Sequence, residues 1–193
     1  MNLIFDIGNV LVHYKPQKFL ETLFTEQSLR DAMFETVFQG PEWLALDEGT
    51  ITLPEAYERY CRRAPEHQAA IRRTIDGINT MFSPIDETVK LLPLLKKAGH
   101  KLYYLSNCHH EISRYLLQAY PFFGGFDGGV FSCDVRQLKP DHDIYHTLLK
   151  TYRLAPEDCV FFDDVNENVQ AANEIGIRGV LFTGAACVRE YVK

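Results

Sequence analysis

The sequence predicts an α/β fold: a parallel sheet with helices on both faces and a helical segment inserted after the first strand. Three observations carry this expectation. Short apolar runs of strand length recur along the chain and end at glycine or polar residues, as buried parallel strands do. Amphipathic helical spacing fills most stretches between those runs. One long stretch after the first run shows helical spacing and no strand pattern.

In chain order, residues 3–7 read as the first strand, which stops at Gly8-Asn9. Residues 15–83 read as several helices, at 19–24, 29–38, 53–63 and 67–78. Breaks are expected at Gly40-Pro41, Gly49, Pro54, Pro65 and Ser83-Pro84. Residues 86–98 carry Val89, Leu91, Leu92, Leu94 and Leu95 at helical spacing and end at Gly99, a natural helix stop. Strands are expected at 102–105, 160–162 and 180–182, with helices at 111–119, 143–152 and 166–175 between them. The division that follows is a core of residues 1–14 and 84–193 around a helical insertion of residues 15–83.

The chain has 193 residues, enough for one domain with a modest insertion. At 46% hydrophobic and 24% charged residues it is not a disordered chain. No apolar run reaches the roughly 20 residues of a membrane span, so no membrane partner is expected. Lys and Arg number 20 against 26 Asp and Glu, a net charge of −6 that argues against non-specific nucleic-acid binding. The first residues lack the basic and small-residue features of a signal peptide. Five cysteines without a C-x-x-C pair argue against a zinc cage or a disulfide framework and for a reducing, cytoplasmic setting.

Open parallel sheets bind ligands beyond the carboxyl ends of their strands, so the residues at those ends carry the functional reading. The first strand ends near Asp6, the second at Ser106-Asn107 and the third at Asp163-Asp164, and Lys139-Pro140 precedes a helix. If these strands are neighbours, one crevice collects carboxylates, a hydroxyl, an amide and a lysine. Carboxylates from two strands suit Mg²⁺, a hard cation that prefers oxygen ligands. Ser106 and Asn107 before a helix offer donors to an anion, and Lys139 would balance the charge of a phosphoryl group.

The segments FDIGNV at 5–10, LSN at 105–107, LKP at 138–140 and FFDDVNEN at 161–168 together resemble the haloacid dehalogenase-like hydrolase superfamily. The resemblance covers nearly the whole chain and looks closest to small bacterial sugar-phosphate phosphatases, α-glucose-1-phosphate phosphatases among them. It implies a Rossmann-like core with a helical cap at the position of the insertion. It also implies a monomer or homodimer acting on a small phosphorylated metabolite with Mg²⁺. Carried over by position, Asp6 matches the nucleophile that forms an aspartyl-phosphate, and Lys139 the lysine that neutralises nucleophile and phosphate. Ser106 and Asn107 match the phosphate-binding pair. Asp164 matches the acidic metal ligand, and Asp163 a supporting acid that often reaches the metal through water.

The chain departs from that pattern at Gly8, where typical phosphatases of the superfamily carry a second Asp as general acid and base. The Gly8 carbonyl retains the metal-ligand role, but nothing there transfers a proton. Acid–base groups contribute about 10²–10⁴-fold, so slow turnover, a substitute base or a good leaving group is expected. His13 is one candidate substitute. His109 and His110 are expected on the surface of a helix start, and His142 and His146 on a solvated helix face. Trp43, Tyr57 and Tyr60 are possible cap walls. Two other readings remain: a metal-independent 2-haloacid dehalogenase, and a weakened binding or regulatory protein on the same fold. The paired acids at 163–164 count against the first, and the survival of Asp6, Ser106, Lys139 and Asp164 against the second.

Overall fold

A computed structural model describes residues 1–192; Lys193, the last residue of the expected core, lies outside the described residues. The sheet has five parallel strands, β1 (Asn2–Phe5), β2 (Lys101–Ser106), β3 (Gly128–Phe131), β4 (Cys159–Asp163) and β5 (Arg178–Leu181), in the order β3-β2-β1-β4-β5. The central β1 pairs on both sides, with Phe5 level with Tyr104 of β2 and Phe162 of β4. Its side chains alternate between two buried clusters. Leu3 and Phe5 join one face with Leu102 and Phe162, while Ile4 joins the other with Tyr103, Leu105 and Phe161. Burial on both faces explains why β1 reads as a continuous apolar run.

Between β1 and the next core helix the chain is helical. It runs through α1 (Pro16–Leu23), α2 (Gln27–Met33), a π-helical turn at Phe34–Phe38, α3 (Pro41–Asp47), α4 (Leu53–Arg63) and α5 (Gln68–Gly77). Thr52 starts α4 with a capping box, its hydroxyl and the Glu55 carboxylate each accepting a backbone N–H of the other residue. The two chain crossings that bound this segment are tied together: His13 N–H donates to Ser83 O and Ile85 N–H to Leu11 O, both at 2.8 Å. The core continues with α6 (Asp86–Val89), α7 (Leu92–Lys97), α8 (His110–Ala119), α9 (Ser132–Val135), α10 (His142–Tyr152), α11 (Asn166–Glu174) and α12 (Ala186–Arg189).

Several elements differ from the sequence expectation, among them the short helices α9 and α12, which it did not include. The single helix at 86–98 is two, because Pro93 lacks the N–H an unbroken helix needs and instead sits in the first turn of α7. Gly40-Pro41 is not simply a break: Pro41 opens α3, a helix the periodicity did not reveal. β3 was also unforeseen, because its first two residues are glycines. A Cβ at Gly128 would lie 2.3 Å from the Tyr152 ring, and one at Gly129 would lie 2.3 Å from the Tyr104 ring, so bulk is excluded there.

Candidate active site

The parallel order brings the predicted residues to one end of the three central strands. Asp6 follows β1 directly, its N–H donating to Phe162 O at 2.8 Å. Ser106 is the last residue of β2, Asp163 is the last of β4, and Asp164 follows it.

Lys139 organises the floor. Its side chain is 2% exposed, and its ammonium donates to Asp6 Oδ1 at 2.8 Å and to Asp163 Oδ2 at 2.6 Å. Two carboxylates offset the desolvation of the ammonium and hold its pKa above the usual lysine range. Desolvation pushes the Asp6 carboxyl up to about 6; Lys139 pulls the other way and the charge of Asp163 adds to the rise. Asp163 is fully buried and its oxygens are occupied. Oδ1 accepts from Val165 N–H at 2.8 Å, and Asn168 Nδ2 lies 3.1 Å from Oδ1 and 3.0 Å from Oδ2. Its carboxylate therefore orients the lysine from below.

Asn107 holds the same lysine by its backbone. Its Nδ2 donates to Lys139 O at 2.9 Å, and Lys139 N–H donates to Asn107 Oδ1 at 2.8 Å. One Nδ2–H of Asn107 is left for a ligand. The Ser106 hydroxyl has only a 3.5 Å approach to Asn107 O, so it too is available. Asn9 takes a left-handed conformation at φ 52°, which Asn tolerates. From there its Nδ2 donates to Asp164 Oδ2 at 3.1 Å and its Oδ1 accepts from Tyr14 N–H. Desolvation raises the Asp164 carboxyl, with the Asn9 bond opposing the rise.

Carboxylate oxygens of Asp6, Asp163 and Asp164 lie within 4.8 Å of one another. An all-oxygen, multiply charged donor set of this spacing fits a hard divalent cation such as Mg²⁺. Above the floor opens a cavity of about 420 Å³. Asp6, Gly8, Ser106, Asn107, Lys139 and Asp164 line its polar end, and Val12, Tyr14, Trp43, Phe82, Ile112 and Leu116 form most of its wall.

Several expectations for individual residues change. His13 lines a separate surface hollow with Lys15 and Ser83, not this cavity. His109 is buried at 1% exposure, its ring edge-on to Trp43 at 5.4 Å, because α8 begins only at His110. Of the three aromatic candidates Trp43 lines the cavity. Tyr60 is core, its hydroxyl donating to Val37 O at 3.2 Å, and Tyr57 lies under the Arg72 guanidinium. Among the cavity residues that the sequence reading did not assign to the site is a further acid, Asp47, at the end of α3. It belongs to no motif, and only an acid standing one helical turn after Trp43 hinted at it.

Fold and site together define a hydrolase of the α/β class with a buried carboxylate, Asp6, just beyond the end of its central strand. Residues 1–176 match the haloacid dehalogenase-like hydrolase family, and the chain belongs to it. It is 27% identical over 180 residues to the sesquiterpene phosphatase astK of Aspergillus oryzae, covering 93% of this chain and 88% of that one. A chain from Porphyromonas gingivalis, described as a predicted HAD-like family hydrolase, superposes with a TM-score of 0.75 at 21% identity, covering 98% and 96% of the two chains. A HAD family enzyme of Bacteroides thetaiotaomicron in complex with magnesium and inorganic phosphate superposes with a TM-score of 0.71 at 21% identity, covering 91% and 90%.

Proposed function

We propose that this chain is a Mg²⁺-dependent phosphatase of a small phosphorylated metabolite, acting through an aspartyl-phosphate on Asp6. The observation that carries the reading is the Lys139 ammonium clamped between Asp6 and Asp163 beside an unengaged Ser106 hydroxyl. In this reading Asp6 Oδ attacks phosphorus, and Lys139 offsets charge on both nucleophile and phosphoryl group. Ser106 and the spare N–H of Asn107 bind phosphoryl oxygens. Asp6, the Gly8 carbonyl and Asp164 hold Mg²⁺, and Asp163 supports them through Lys139 or a water. The cation supplies charge stabilisation to the transferring phosphoryl group. Residues 15–83 act as a cap on the core formed by 1–14 and 84–193. Five free cysteines support a cytoplasmic setting, and among the described residues no helix is long and apolar enough to cross a membrane. We take the enzyme as a monomer or homodimer.

For the body of the substrate two readings stand. The motif resemblance favours a sugar phosphate, and Trp43 brings an aromatic ring to the cavity lining. The Val12, Phe82, Ile112 and Leu116 wall, together with the sesquiterpene phosphatase relative, favours a phosphomonoester with an apolar body. The experiment is kcat/KM for α-glucose 1-phosphate and for a terpenyl monophosphate, with Mg²⁺ and with chelator. Turnover in Mg²⁺ alone is expected, and the preferred body decides between the two readings. Metal-independent halide release from a 2-haloacid, with no phosphatase activity, would refute the proposal and establish the dehalogenase.

A further inference from the structure

We propose that Asp47, carried into the cavity wall by the last turn of α3, is the general acid and base that position 8 lacks. The inference rests on the phosphatase reading above. Transfer of a phosphoryl group leaves negative charge on the departing oxygen, and a positioned acid that protonates it is worth about 10²–10⁴-fold. Gly8 has no side chain to do this, and His13 faces a different hollow.

Of the titratable groups lining the cavity, Asp6, Lys139 and Asp164 are committed to nucleophile, counter-charge and metal. Three remain: Tyr14, Cys108 and Asp47. Burial drives the Tyr14 hydroxyl and the Cys108 thiol far above neutrality, so neither exchanges protons there. Desolvation lifts the Asp47 carboxyl to about 7, opposed by the His109 backbone N–H and the Trp43 indole. That is the range in which one group is a competent acid and then a competent base. The Asp47 charge adds to the rise at Tyr14 beyond β1, Tyr60 of α4, Cys108 after β2 and Cys133 of α9, and the buried His109 ring stands on the far side of Trp43.

Its position is fixed from the core. Asp47 O accepts from the Ser132 hydroxyl, which in turn accepts from Cys108 N–H at 2.9 Å, two residues past Ser106. Two residues beyond Asp47, Gly49 turns at φ +72° directly against the Cys133 backbone, where a Cβ would lie 2.4 Å from Cys133 O. The acid is thus pinned to the same strand end that presents Ser106.

The chemistry balances in two steps. Asp6 Oδ forms a bond to phosphorus, the bond from phosphorus to the leaving oxygen breaks, and that oxygen takes the proton of the Asp47 carboxyl. The Asp47 carboxylate then takes a proton from water as the water oxygen attacks phosphorus. The bond to Asp6 breaks, releasing inorganic phosphate and restoring the Asp6 carboxylate and the protonated Asp47 carboxyl.

The test compares 4-nitrophenyl phosphate with phenyl phosphate, which are similar in size and differ in leaving-group acidity. It uses wild type, Asp47→Asn and Asp47→Asn/Gly8→Asp, with circular dichroism to verify folding. A Cβ at position 8 meets only ordinary contacts, 3.7 Å to Tyr14 Cβ and 3.9 Å to Asp6 Oδ2, so its first side-chain atom fits. Asp47→Asn should lower kcat/KM for phenyl phosphate by about 10²-fold and change the nitrophenyl ester little. It should also abolish a fall in wild-type kcat/KM above pH about 7, and Gly8→Asp should restore part of the loss. Equal losses on both esters, or none, with the pH limb intact would overturn the assignment while leaving the phosphatase reading in place. A wild type inactive on every phosphomonoester would remove that reading and this inference with it.

Discussion

Replacing Lys139 by methionine should destabilise the protein in a pH-dependent way. The substitution keeps much of the side-chain length but removes an ammonium that is 2% exposed and bonded to two carboxylates at 2.8 and 2.6 Å. Breaking a buried ion pair by deleting one partner costs roughly 3–5 kcal/mol, because the remaining charge is left uncompensated. For a chain of this size each kcal/mol moves Tm by about 2–4 °C, so a fall on the order of 10 °C is expected near neutrality. Asp6 already sits at about 6 with the lysine present. Without it the folded carboxyl rises further, against an unfolded value of about 3.9. A folded pKa raised above the unfolded one leaves stability intact below about pH 4 and removes it as pH climbs through the folded value. The variant's loss relative to wild type should therefore be smaller at pH 5 than at pH 7.5. Urea unfolding at both values, in chelator so that no divalent cation replaces the ammonium, measures it. A loss under about 1 kcal/mol at pH 7.5, or the same loss at both pH values, would refute this account of the floor.

Three further outcomes follow from the same geometry. Asp6→Asn should retain the fold and lose more than about 10⁴-fold in kcat, with no phosphoenzyme trapped by acid quench; near-wild-type turnover would exclude covalent catalysis by this residue. Mg²⁺ should raise the Tm of wild type and not that of Asp164→Ala, read by thermal shift across a titration of the cation; an equal rise in both would place the cation elsewhere. Gly49→Ala should cost at least about 1 kcal/mol, because φ +72° disfavours a Cβ and Cys133 O stands 2.4 Å from where it would be. An unchanged urea midpoint would show that the α3–α9 contact yields freely.

The sequence made the floor of the site legible because three of its carriers stand where apolar runs end. Asp6, Ser106 and Asp163 stand where β1, β2 and β4 stop, and a parallel sheet gathers such ends. The relations among them were not legible. That Asn107 grips the Lys139 backbone through both ends of its side-chain amide, and that Asp163 serves the lysine, depends on a loop returning from 32 and 24 residues away. The wall was harder still. Asp47 is one acid among 26, and its place over the site depends on α3, which Pro41 starts and Gly49 ends by a backbone contact with Cys133. The α-glucose-1-phosphate likeness came from motifs at the strand ends, which say little about a wall built by other segments. β3 stayed hidden because two aromatic rings impose glycines on it.

The strand order has a consequence for how the molecule opens. β1, flanked on both sides, can release its amides to solvent only when the sheet comes apart as a whole. β5 is held by β4 alone on its sheet edge, with Leu181 42% exposed, and carries none of the residues that line the cavity floor. β3 is likewise held by β2 alone, so hydrogen exchange should begin at these margins, and fraying there would leave the carboxylates and the lysine in register. The molecule can breathe at its edges while its chemistry stays assembled at the centre.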